Sequence, residues 1–271
     1  MKKIKSKTLV LSLIVVMTFA LASCGNKTAS DPKEDALSKL NAVMEKGSQN
    51  TYADIDVDGI IEGSAFQGVS VKYKMNIKSK APAPGKFDIK KHQVAINMEM
   101  IAKAQSIKGK VYMKDGYTYT DMLGKKFKVK IDKSMGSFMH PTNMSNLSQL
   151  SKLDKEYVKE ASADGDKISV SLDYGKFFSS YFGDMLKGKD EKNIKEALKG
   201  VKTFKMVFTV KDDEVKAVNM TMKMSIDGED MKMNMDFKYN KLAKDGKVSF
   251  PSDLSSYPAM AAPAGSSPLG M

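Results

Sequence analysis

Side chains that attack, titrate near neutrality or ligate metals are scarce in this chain of 271 residues. It has one cysteine, Cys24, two histidines, His92 and His140, and no tryptophan. That inventory nearly excludes histidine-built or cysteine-built metal sites, disulfide frameworks and a Cys-His catalytic pair. The two histidines lie far apart with no partner pattern around them, so each is expected to be a lone exposed side chain rather than a triad member. Asp54, Asp56, Asp58, Gly59 and Ile61 match the first half of a calcium-binding loop, but the place of its bidentate glutamate is held by Ala65. Ile55 and Val57 between the acids belong to an apolar strand face. The better reading is three outward acids whose mutual repulsion cross-strand lysines relieve. No G-x-S-x-G, Walker, Rossmann or HExxH pattern occurs, so no catalytic residues, cofactor or metal are expected and the protein does not read as an enzyme.

The charge is strongly positive, 44 basic residues against 32 acidic ones, for a net +12. Every basic residue is a lysine. Arginine, the planar fork that reads guanine edges and clamps phosphate bidentately, is absent, which argues against nucleic acid. Tyr112, Tyr117 and Tyr119 beside Lys110, Lys114 and Lys125 imitate an aromatic-basic nucleic-acid face. Tyrosine's strand propensity is the better account of them, and no nucleic-acid partner is expected.

The cysteine carries the most specific chemistry. Lys2, Lys3, Lys5 and Lys7 precede an apolar run, Leu9 to Leu21, too short to cross a bilayer and ending in small residues. The segment Leu21-Ala22-Ser23-Cys24 then resembles the lipobox of bacterial lipoproteins. The resemblance implies cleavage after residue 23 and lipid on Cys24. Two acyl chains suffice for stable anchoring where one does not. Residues 1–23 thus read as a lipoprotein signal peptide, and 24–31 as the lipidated cysteine and a short polar tether. The expected location is the extracytoplasmic face of the cell membrane, lipid-anchored. There the lysines face anionic headgroups or anionic wall polymers, unless they are simply a solvated surface.

What these features are mounted on follows from periodicity. Asp31-Pro32-Lys33-Glu34 carries the signals of a helix start, and Leu37, Leu40, Val43 and Met44 recur at helical spacing up to Gly47. From residue 51 the period becomes two: Ile55, Val57 and Ile61; Val69 to Ile77; Val94, Ile96, Met98 and Met100; Val111 and Met113; Phe127, Val129 and Ile131. Such alternation marks antiparallel strands with one wet face. Asp-Gly turns at 115–116, 164–165 and 227–228 punctuate them. Two helical insertions, 134–153 and 173–199, break the series, the second bearing Phe177, Phe178, Tyr181 and Phe182. Residues 32–250 read as one domain, and 251–271, rich in proline, alanine, glycine and serine, as a disordered tail.

Methionine is in excess, with 21 residues, and is concentrated on strands. Met220, Met222 and Met224 alternate towards the turn at 227–228, and Met231, Met233, Met235 and Phe237 alternate away from it. Met98 and Met100 repeat the pattern. Methionine fills cores, but a whole face of it specifies packing poorly and suits ligands of variable apolar shape. Both readings, plain core and cavity wall, stay open here. A sheet of about eleven strands tends to curl. The expected fold is therefore mainly β (α+β): a curled antiparallel sheet forming an incomplete β-barrel, with an N-terminal helix and two helical insertions over the open side. Lipobox, leading helix, alternating strands and helical insertions together resemble the LolA/LppX-type superfamily of envelope carriers, specifically the LolA-like lipoproteins of low-GC Gram-positive bacteria. The resemblance spans residues 32–250 and is architectural. It implies a hydrophobic cavity holding a lipid or acyl chain, walled by Met98, Met100, Met220, Met222, Met224, Met231, Met233, Met235 and Phe237. Phe177, Phe178, Tyr181 and Phe182 then form the lid. The alternative is an interaction lipoprotein with a solid core and a lysine-rich surface.

Overall fold

A computed structural model of the chain describes residues 31–64, 69–86, 88–103, 105–131, 153–177, 199–226 and 228–260. Helix α1 (Pro32–Gly47) begins where its sequence signals place it. The Asp31 carboxylate accepts a hydrogen bond from the Lys33 backbone N–H at 3.0 Å, and proline sits in the first turn. Glu34, at the capping-box position, is found 3.7 Å from Lys155. Leu37, Leu40, Val43 and Met44 are buried along one stripe.

Eleven strands follow: β1 (Tyr52–Gly63), β2 (Val71–Lys80), β3 (Gln93–Ala102), β4 (Gln105–Lys114), β5 (Tyr117–Met122), β6 (Lys125–Lys130), β7 (Val158–Asp164), β8 (Lys167–Leu172), β9 (Val201–Lys211), β10 (Glu214–Ile226) and β11 (Glu229–Ala243). They form one antiparallel sheet in the order β6-β5-β4-β3-β2-β1-β11-β10-β9-β8-β7. Every neighbouring pair except β1 with β11 is consecutive in the chain, so two runs of hairpins are joined by one long-range pairing. β6 and β7 stand at the two edges, and the sheet stays open as an incomplete barrel. Asp115 and Gly116, with φ of 54° and 79°, supply the two left-handed residues that a tight hairpin turn demands. The two segments expected to be helical insertions, 134–153 and 173–199, fall largely outside the described residues. Leu153, at the end of the first, is buried, and the Asn41 side chain holds its carbonyl and N–H at 3.0 and 2.7 Å. The second is described as a helical turn at 174–177.

The part of the inner face that α1 covers is a continuous core. Ile55, Val57, Ile168, Val170, Met206, Phe208, Val218 and Phe237 pack with Leu40 and Met44 of the helix. All come from alternate strand positions, so the period of two in the sequence is the direct cause of the core.

The outer face has a core of its own, and it corrects two expectations. The chain does not leave the domain at residue 250: residues 251–260 pack back over β3, β4 and β5. Val248, Leu254 and Tyr257 join Tyr52, Ala95, Tyr112 and Tyr119 in a second buried cluster. A 3-10 turn (Leu254–Ser256) sets Leu254 and Tyr257 inward, and Tyr257 meets Tyr119 edge-on at 5.9 Å. The Lys128 backbone N–H donates to the Pro258 carbonyl at 2.8 Å, and the Met260 N–H donates to the Lys128 carbonyl at 2.9 Å, so the segment also lines β6. Lys126 fastens it with a 2.7 Å ion pair to Asp253. Tyr112 and Tyr119 are therefore buried under this strap and form no aromatic-basic surface. Residues 261–271 lie outside the described residues.

Gly246 starts the strap flat against the Tyr52 ring, where even a methyl group would overlap ring carbons. Gly246→Ala is expected to lower stability by about 1–3 kcal/mol, the usual cost of overpacking. A thermal melt checks this, and an unchanged midpoint would mean the strap does not bear on Tyr52.

Candidate ligand-binding face

The methionines come together as their strand positions require. In the β10–β11 hairpin Met220 pairs with Met235, Met222 with Met233 and Met224 with Met231, beside Val218 with Phe237. The register carries the pattern beyond the hairpin in three rows across the inner face. One runs Val170, Met206, Met220, Met235, Gly59, Tyr73, Met100 and Ile107. A second runs Phe237, Val57, Met75, Met98, Gly109 and Met122. The third runs Phe204, Met222, Met233, Ile61 and Val71. Gly109 leaves room for its neighbour, and Met122 folds over it so closely that a Cβ would lie 2.9 Å from the Met122 Cε.

Burial is graded along these rows. Met206, Met235 and Phe237 are buried, whereas Met98, Met100, Met220, Met222, Met224, Met231 and Met233 are only half-buried. Ordinary core and partly open apolar wall thus occupy the same face, one passing into the other. Met75, Met122, Met206 and Phe204 belong to the face as well. They were not among the wall residues expected from the sequence, although their period-two positions and the register of the 227–228 hairpin contain the signal.

Of the four aromatic residues expected as a lid, one lies among the described residues. Phe177 is buried, with its ring 5.9 Å from Phe204, and Tyr174 meets the same ring edge-on at 4.8 Å. Burial pushes the Tyr174 hydroxyl up from its ordinary pKa. Phe178, Tyr181 and Phe182 lie outside the described residues, as do Cys24 and His140. Clefts of about 470, 710 and 140 Å³ open beside the sheet among the described residues, and these three are not lined by a methionine of the rows. The first is lined by Phe204 and Val201, which pair with Met222 and Met224, and so adjoins the methionine rows.

Two other expectations change. His92 is buried, 1% exposed, rather than solvent-facing. It ends a turn in which its backbone N–H donates to the Asp88 carbonyl at 2.7 Å, and that turn carries the ring inward just before β3. The outward acids are relieved mainly by amides. Asn76 donates to Asp54 at 3.0 Å and Asp56 at 2.8 Å, Asn240 donates to Asp56 at 2.8 Å, and Lys78 lies 3.4 Å from Asp54. Among the described residues no three acidic, histidine or cysteine side chains converge on a metal position.

The hydrogen bonds from Asn240 and Asn76 hold the Asp56 carboxyl below its ordinary value of 3.8. A lowered folded pKa contributes stability that is present above the unfolded value and lost as pH falls through the folded one. The melting temperatures of native protein and Asp56→Asn should therefore converge as pH drops from 6 to 3, whereas a constant gap would mean that the network does not favour the charged form.

No protein-family model matches the sequence, and no curated protein matches it. Among solved structures, LprF from Mycobacterium bovis is similar over 82% of this chain and 99% of its own, at 10% identity and a TM-score of 0.47. A protein described as AttH from Nitrosomonas europaea is similar over 73% of this chain and 52% of its own, at 6% identity and a TM-score of 0.22. Both scores fall below 0.5, and nothing about function follows from either likeness.

Proposed function

We propose that the protein is a lipoprotein anchored through Cys24 to the extracytoplasmic face of the membrane, and that it binds a lipid or acyl chain against the methionine rows of its inner face. The observation that carries this reading is the graded burial. Seven methionines of the predicted wall are half-buried on a face whose other part, around Val57, Met206, Met235 and Phe237, is buried. Soluble domains do not normally leave a broad apolar surface partly open without a partner for it. Methionine suits the role because its unbranched, polarizable side chain reshapes around apolar ligands of different outline. Sequestration needs no specific chemistry: apolar area leaves water at roughly 25 cal/mol per Å². The lipid content of the purified protein tests the reading, because a protein that sequesters lipid emerges from the cell carrying it.

A second reading rests on the buried part of the core, where Phe208, Leu40 and Met44 are wholly shielded from solvent. There the protein is an interaction lipoprotein whose exposed lysines, such as Lys72, Lys74, Lys108 and Lys110, meet anionic wall polymers. Binding of that kind weakens steeply with salt and ignores hydrophobic ligands.

A further inference from the structure

The cleft of about 470 Å³ at the β8–β9 end of the sheet has two kinds of wall. Leu172, Tyr174, Val201 and Phe204 are apolar, while Lys159, Lys199 and Lys202 bring positive charge to the same opening. Its one acid, Asp173, is engaged locally: its carboxylate accepts from the Lys176 backbone N–H at 3.1 Å. Lys202 pairs with Asp230 at 2.6 Å, but both side chains are more than half exposed, at 56% and 74%, so the pair exchanges readily with other anions. The apolar wall does not end at the cleft. Phe204 is the cross-strand neighbour of Met222, and Val201 of Met224, so the methionine rows begin where the lysines stop.

We propose that this cleft is the headgroup subsite of an anionic amphiphile, whose carboxylate or phosphate sits among Lys159, Lys199 and Lys202 while its hydrocarbon chain runs past Val201 onto Met224, Met222 and Met233. The inference rests on the reading of the inner face as a ligand-binding wall and gives its ligand a charge and a direction. Charge complementarity selects the occupant: an excess of lysine beside continuous apolar surface fits a molecule with one anionic end. The distance is adequate too. Five strand spacings separate β9 from β3, about 24 Å at roughly 4.8 Å each, the scale of an extended long acyl chain. Lysines act here as point charges and tolerate carboxylate or phosphate alike.

The test uses the chain from Gly25, which omits only residues outside the described fold, and calorimetry with three probes. These are dodecyl phosphate, dodecyltrimethylammonium and inorganic phosphate, the amphiphiles below their micellar concentrations. Dodecyl phosphate is expected to bind at least tenfold tighter than the cationic probe. Lys159→Gln with Lys202→Gln should reduce that preference below threefold without weakening the cationic probe, and Lys108→Gln on the outer face should leave it unchanged. Equal affinity of the two amphiphiles for the native protein would overturn the headgroup subsite and leave the methionine wall standing. Binding of neither amphiphile would overturn both. Inorganic phosphate that binds as tightly as dodecyl phosphate would make the cleft a free-anion site and overturn the amphiphile.

Discussion

Met222→Asp keeps its fold and loses at least tenfold in affinity for a long-chain fatty acid. Met222 is half-buried between Phe204 and Met233, so an aspartate there keeps contact with water while the site is empty. A hydrocarbon chain lying over the row must strip that water from an ionised group. Desolvating a polar group without a new partner costs about 1–3 kcal/mol by mutational standards, and more for a charge. Each 1.4 kcal/mol is tenfold in affinity, so about tenfold is the floor of the effect. Met233→Asp should behave alike, being the cross-strand partner, but the double variant places like charges opposite one another and endangers the hairpin. Met206 supplies the contrast. It is fully buried on the same face, and Met206→Asp should unfold the protein rather than empty it. Displacement of a fluorescent fatty acid, with circular dichroism as the control for folding, reads both effects. Unchanged uptake by a folded Met222→Asp protein would remove the inner face as the site.

Ending the chain at Lys244 should cost several kcal/mol, although it removes no strand. The strap buries Val248, Leu254 and Tyr257, and its loss uncovers Tyr52, Tyr112 and Tyr119 on the outer face. At about 1.5–3 kcal/mol for each large side chain taken from water, the three deleted residues account for roughly 4.5–9 kcal/mol as an upper estimate. A domain of this size holds about 5–15 kcal/mol in total, so the truncated chain should melt at least 10 °C lower or fail to fold. Leu254→Ala, at about 2–5 kcal/mol, is the milder version. An unchanged melting temperature after truncation would show that the outer cluster contributes nothing to the fold.

What the sequence made legible was the local part of this architecture. Alternation found the strands because each has one buried and one wet face, and the position of the turn at 227–228 is enough to set Met222 opposite Met233. Joining β1 to β11 was not legible, since nothing near Ile55 points to Tyr239. The strap was misread because its proline, serine and alanine carry no period, and an irregular segment can still pack through two residues held by one turn. A clue did exist. The same alternation that put Val111 and Met113 inside put Tyr112 outside, with Tyr119 opposite it, and two tyrosines paired across an outer face need a cover. His92 was misjudged for a similar reason: its burial follows from backbone hydrogen bonds within residues 88–92, which residue types do not announce. The candidate wall was read from one hairpin and one further strand, and only the register of the whole sheet added Met75, Met122, Met206 and Phe204 to it.

The most direct measurement is native mass spectrometry of residues 25–271 purified from the producing cell without detergent, followed by solvent extraction and lipid analysis. The account predicts a stoichiometric adduct that survives purification, disappears on extraction, and proves to be a molecule with a long hydrocarbon chain. A clean apo mass that stays unchanged when lipids are offered would contradict it, and would leave the lysine surface as the place to look.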